Sequence, residues 1–193
     1  LQGCVGVMVG GVVAGTLAAT DRRTLGAQTE DKSIAVKGEI AVPKVVGDAG
    51  HVNVTSFNRK VLLTGEVPSE AAKDAAAREV AKIEGVQSVV NELAVSGASG
   101  YGSRSNDTLI TGKVKASIVD NRTLYANSIK VLTERGIVYL MGRVTEKEGN
   151  LAADIARGVS GVQKVVKVFE YISDDEYRVP VSYTHLTLPT ICS

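Results

Sequence analysis

Two kinds of hydrophobic spacing run along the chain, and each occurs twice in the same order. Val52 and Val54 alternate with Asn53 and Thr55, and Ile129 and Val131 with Lys130, which is the two-residue period of a strand. Apolar runs follow at 61–63 and 137–141, after the turn sequences Asn58-Arg59 and Glu134-Arg135-Gly136. Ile110, Val114 and Ile118 recur every four residues, the spacing of one helix face, and predict a helix over 107–119 with Asp107 as its N-cap. The matching stretch at 32–42 predicts a weaker helix. Gly38 stands there in the place of Val114, and Pro43 is expected to end the run. A second helix is predicted over 69–83 from Ala72, Ala76, Val80 and Ile83, and over 146–159 from Leu151, Ile155 and Val159. Thr145-Glu146-Lys147-Glu148 reads as a capping box. Gly85 and Gly161 stop these helices, and a last strand is predicted over 86–95 and 162–171. Gly65 and Gly142 end the second strands, where a missing side chain suits a bend or a close pass by a helix. The order is α-β-β-α-β, given twice.

The residues repeat as well as the pattern. Val61-Leu62-Leu63-Thr64-Gly65-Glu66-Val67 returns about 77 residues later within Ile137-Val138-Tyr139-Leu140-Met141-Gly142-Arg143-Val144. Gly85-Val86-Gln87-Ser88-Val89-Val90 returns as Gly161-Val162-Gln163-Lys164-Val165-Val166. So long a period implies duplication of a small globular domain, not a solenoid repeat. The 193 residues then divide into a leading segment 1–30, a first domain 31–95, a Gly/Ser linker 96–105, a second domain 106–172 and a tail 173–193. At about 65 residues, each domain is near the lower limit for a core without disulfide or metal. The fold class is therefore α/β (α+β), with each domain a three-stranded mixed sheet packed on two helices. Tryptophan is absent, so Val, Ile, Leu and Ala must fill the core. The net charge of +1 hides an asymmetry, about −1 for the first domain and +3 for the second. That bias favours an anionic partner for the second domain, mildly.

The two ends carry their own signals. Leu1-Gln2-Gly3-Cys4 resembles the end of a bacterial lipoprotein signal, where cleavage leaves the cysteine first and its thiol carries a diacylglycerol. Cys4 is the expected lipidation site, although Gln2 stands where the motif has a small residue. Residues 5–19 are apolar and Gly/Ala-rich, shorter than the roughly 20 residues a spanning helix needs. They read as a tether beside acyl chains, whose buried methylenes contribute about 0.8 kcal/mol each. In lipoprotein sorting an aspartate after the cysteine favours retention in the inner membrane; Val5 there points to the outer membrane. At the other end, 181–190 matches a reading frame of a transposon-based sequencing adapter, and 181–193 is set apart from the fold. His185 and Cys192 are accordingly not offered as ligands or as a redox pair.

The strand ending in Gly65-Glu66-Val67 or Gly142-Arg143-Val144, with the Gly-Val-x-x-Val segment after each second helix, resembles the BON domain, a small periplasmic α/β module. Two such domains behind a lipidated cysteine are similar to tandem BON lipoproteins of the outer membrane. That resemblance implies a non-enzymatic role in envelope integrity on the periplasmic face. It also implies binding of anionic phospholipid through the second domain, and links to division sites and outer-membrane protein assembly. The helix beginning at Asn106-Asp107 is the family's lipid-facing element. Here it offers Leu109, Lys113 and Lys115, an apolar wedge with ammonium groups for phosphates. Leu109 stands where the family often has tryptophan, a ring better suited to the interface. The alternative for these residues is an ordinary solvated face, with Leu109 packed against the other domain.

Other chemistry finds little support. His51, at a strand edge, has no cysteine or second histidine beside it in sequence and reads as a solvated side chain, so no metal site or cofactor is expected. Glu66, Glu70, Asp74 and Glu79 lie among lysines and read as surface charge. Ser103 and Ser105 lie in a glycine-rich linker with no histidine beside them in sequence, and the loop 97–102 lacks the Lys-Ser/Thr of a phosphate loop. No small-molecule substrate is implied. A nucleic-acid partner would call for a stronger basic patch with stacking aromatics. The rival reading is a protein-interaction module that docks on envelope assembly machinery by a sheet edge or helix face.

Overall fold

The computed structural model of the protein describes residues 21, 23–47, 50–96, 101–121 and 123–173, without the side chains of 101–104. The first copy comprises α1 (Leu25–Val46), β1 (His51–Phe57), β2 (Lys60–Val67), α2 (Glu70–Ala81), β3 (Ser88–Asn91) and β4 (Ala94–Val95). The second comprises α3 (Tyr101–Asp120), a 3-10 turn (Ala126–Ser128), β5 (Ile129–Glu134), β6 (Ile137–Val144), α4 (Glu146–Arg157) and β7 (Lys164–Tyr171). β2 pairs antiparallel with β1 and parallel with β3 and β4; β6 pairs antiparallel with β5 and parallel with β7. The parallel pairings follow from the crossover helices α2 and α4, which return the chain to the same edge. The duplicated mixed sheet on two helices is thus the observed architecture.

The hairpins are closed by two-residue turns in which both central residues have positive φ: 49° and 64° at Asn58-Arg59, 53° and 72° at Arg135-Gly136. This is the type I′ pattern, whose twist matches that of the flanking strands. The expected capping box of α4 is present, with Thr145 Oγ1 and Glu148 exchanging hydrogen bonds with each other's backbone N–H.

Three elements differ from the sequence expectation. α1 starts before residue 32, capped by Thr24, whose Oγ1 accepts from Ala27 N at 3.1 Å. It also runs past Pro43 to Val46. Pro43 lies in the last turn, and Gly47 N closes the helix by donating to Pro43 O at 2.9 Å. α3 likewise begins at Tyr101, so Asp107 lies inside the helix and is not its N-cap. Its carboxylate instead accepts from Arg135 N and Gly136 N, at 2.8 Å each. Finally, the strand expected over 86–95 is broken into β3 and β4. Asn91 Nδ2 bonds Lys73 O at 2.9 Å while its Oδ1 accepts from Leu93 N, and Leu93 turns inward to 2% exposure. At Gly65 and Gly142 the close neighbour is the partner strand's backbone, not a helix. A Cβ there would collide with the carbonyl oxygen of His51 or Ser128. Gly65 also has φ 118°, which side chains rarely adopt.

Each sheet buries one face against its own helices. Ile34, Val42, Val54, Val61, Leu63 and Val80 form that core in the first copy; Ile110, Val114, Val138, Leu140, Ala152 and Phe169 form it in the second. The other faces pack on each other through Phe57, Leu62, Tyr139, Met141 and Val168. β2 and β6 are therefore buried on both sides, which is why their apolar runs lose the alternation of a half-exposed strand. Polar bonds stitch the seam. Asn53 Nδ2 donates to Glu134 Oε2 at 2.7 Å, Asn58 Nδ2 to Glu170 Oε2 at 2.6 Å, and Lys60 Nζ to the Phe169 carbonyl at 3.2 Å. Glu170 also pairs with Arg143, 3.0 Å away.

Candidate membrane-facing helix and the groove beside it

α3 turns Asp107, Ile110, Val114 and Ile118 inward, each under 7% exposed. With a helical step of about 100° per residue, Leu109 and Lys113 then fall within about 40° of one another on the opposite side. Both are exposed, as is Ala116 next to them, and Leu109 is 64% open to solvent. Leu109 therefore does not pack against the other domain. Gly112, between Leu109 and Lys113, has open space where a side chain would be. The result is a low apolar ridge carrying one ammonium group, a shape that can settle among headgroups while the stem of Lys113 stays extended.

Lys115 is exposed but elsewhere. It lies about 160° round the helix axis from Lys113 by the same geometry. There it lines a groove between the two copies, with Lys130 and the α1 residues Asp31 and Lys32. The structure thus brings Leu109 and Lys113 together and places Lys115 on a different surface.

That groove ends on a feature that spacing alone did not single out. Asp31 occupies in α1 the place of Asp107 in α3, 76 positions away. Its carboxylate accepts from Ser56 Oγ at 2.6 Å, Asn58 N at 2.7 Å, Arg59 N at 2.9 Å and Arg23 at 2.8 Å. Burial alone would raise its pKa. The hydrogen bonds from Ser56, Arg59, Asn58 and Arg23 outweigh that and hold it below the ordinary carboxylate value. Arg23 also stacks on the Phe57 ring, 3.9 Å from its centroid. A reader of the sequence could have found the pair of aspartates from the repeat itself, since each stands 27 or 28 residues before a turn that offers two backbone N–H groups.

His51 lies in a second, shallower hollow with Asn53, Thr133 and Glu134, where Asn53 Nδ2 is 3.5 Å from its Nε2. Among the described residues no three His, Cys, Asp or Glu side chains converge on a metal position, and no helix is long and apolar enough to cross a membrane. Cys4, the tether 5–19, His185 and Cys192 lie outside the described residues.

The pattern of the BON domain matches residues 34–97 and again 106–173, in register with the two structural copies. The chain belongs to the BON domain family. Among its relatives, the outer membrane lipoprotein DolP of Haemophilus influenzae is 42% identical over 174 residues, 89% of this chain and 90% of that protein. The 21 kDa hemolysin of Actinobacillus pleuropneumoniae is 34% identical over 79% of each chain. Osmotically-inducible protein Y of Escherichia coli is 32% identical over 59% of this chain and 58% of its own length. At that coverage, the likeness of this tandem BON protein to DolP takes in both domains and the junction between them.

Proposed function

We propose that this tandem BON protein is an adhesive surface of the bacterial envelope, held at the outer membrane by a lipid on Cys4 and engaging anionic phospholipid through α3. It is an outer-membrane lipoprotein of the envelope, and its family is non-enzymatic. The observation that carries the lipid reading is the exposed Leu109–Lys113 ridge on the more basic copy, a leucine 64% open beside an ammonium group. Burying the leucine among acyl chains contributes about 1.5–3 kcal/mol at most, and each lysine near an anionic surface about 1 kcal/mol. Those magnitudes give a soluble protein weak binding that needs a high lipid concentration to be seen. They are enough to orient one already tethered, because the tether supplies a high effective concentration.

The test is co-sedimentation of the non-acylated Cys4→Ser protein with vesicles of phosphatidylglycerol or of phosphatidylcholine. Preferential binding to phosphatidylglycerol, weakened by Leu109→Asp and by Lys113→Glu, supports the reading. Equal binding to both vesicles, or binding untouched by either variant, contradicts it.

A second reading, an adaptor for outer-membrane assembly machinery, is favoured by a different surface. On α1, Val36 and Ile40 are 54% and 58% exposed at helical spacing. A crosslinked partner lost on Val36→Asp or Ile40→Asp but retained on Lys113→Glu would favour it.

A further inference from the structure

The groove between the copies is open and about 480 Å³ in volume. α1 forms one wall with Gln28 and Lys32, α3 forms the other with Lys115 and Val119, and Phe57 and Lys130 lie at its floor. Among the described residues four cations line it, Arg23, Lys32, Lys115 and Lys130, against a single carboxylate, Asp31. Arg23 is already matched, 2.8 Å from both Asp21 and Asp31. Asp31 is fully occupied by its four donors. The three lysines remain, and among the described residues none of them is bonded to a carboxylate. Lys130 Nζ has only a long contact, 3.4 Å, to the Ser56 carbonyl. Desolvation in the groove, and then the charge of Arg23, lower the pKa of Lys130; Asp31 offsets part of this, and Lys115 adds to it. Lys130 thus sits where Arg23 and Lys115 crowd positive charge around it, while both lysines stay open to solvent. An anion seated between Lys115 and Lys130 relieves that crowding, with Lys32 on the facing wall of the groove.

We infer that this junctional groove binds the phosphate group of a phosphate ester, held by Lys32 and Lys115 from opposite walls and by Lys130 from the floor. The site stands independently of bilayer docking, since Lys113 and Leu109 lie on another side of α3. It also requires both copies, because α1 and Phe57 come from the first and α3 and β5 from the second. No isolated domain can form it.

The experiment is a titration of the whole Cys4→Ser protein with inorganic phosphate at ionic strength matched by sodium chloride, followed by amide NMR. Saturable shifts at Lys115, Asn127 and Lys130 are expected. They should weaken at least tenfold in Lys115→Gln/Lys130→Gln and in Lys32→Gln, and remain as they are in Lys113→Gln. Unchanged melting of these surface variants shows that they still fold. A second arm uses phosphatidylglycerol vesicles and the Leu109→Asp protein. Vesicle binding that depends on Lys130 assigns the phosphate to a lipid headgroup, whereas a phosphate response without it assigns a soluble ester. No saturable response to phosphate, or one that survives the double substitution, overturns the site.

Discussion

Asp31 and Asp107 are separated by 76 positions and do the same work, each reaching from the first helix of its copy to satisfy two N–H groups of a hairpin turn. In a type I′ turn those donors point away from the ladder and need an acceptor from elsewhere. Asp31→Ala leaves them and Arg23 without it and is expected to destabilise the protein by about 3 kcal/mol, measured by urea denaturation. Asp107→Ala, with only two donors stranded, is expected to lose about 2 kcal/mol. The acid dependence has a definite sign. Because the folded pKa of Asp31 lies below its ordinary 3.8, its contribution is complete above that value and is lost as pH falls through the folded one. Asp31→Asn should therefore flatten the acid limb of the stability curve. Tyr139 acts at the other end. Burial, then Glu92 and Glu134, push its phenol up to about 12 from 10. Stability is complete below pH 10 and falls as pH rises toward 12, and Tyr139→Phe should remove about 2 kcal/mol of that alkaline loss.

At the scale of elements, α3 shows both what periodicity reveals and what it hides. The buried face of Ile110, Val114 and Ile118 was legible, since a four-residue recurrence has only one simple geometric meaning. The start of the helix was not. Glycine and serine at 97–103 look like a linker, yet the helix begins at Tyr101, because propensity is a weak prior where packing can extend a helix. Asp107 reads as a cap for the same reason, since a carboxylate just ahead of an apolar helical run has that meaning until the true start at Tyr101 is known. Leu109 and Lys113 share one exposed side of the helix, and Lys115, two residues on, does not. Replacing Leu109 with tryptophan is expected to tighten binding to phosphatidylglycerol vesicles, through a ring suited to the interface. Lys113→Glu removes one positive charge and adds a negative one, and should weaken binding by about 2 kcal/mol, roughly 30-fold.

At the scale of the molecule, the duplication was legible and the joining of its halves was not. Leu62, Tyr139 and Met141 fall within apolar runs, and such runs read equally well as one thick core or two faces. The structure shows two faces, with the second faces pressed together to make a shared core. That seam turns two marginal domains of about 65 residues into one larger unit. A single calorimetric transition is expected for the whole protein. Leu62→Ala should destabilise it by about 2–5 kcal/mol, and Met141→Asp should separate the transition into two. The packing also fixes which surfaces remain to meet a partner. The sheet faces are used up, the Lys115 flank of α3 is turned toward the first copy, and the Leu109–Lys113 ridge points away from it. The most direct measurement is an amide NMR map of the whole Cys4→Ser protein on phosphatidylglycerol bicelles. Line broadening centred on Leu109, Gly112, Lys113 and Ala116 is the expected result; broadening confined to α1, or no response to the anionic lipid, would contradict a membrane-facing second domain.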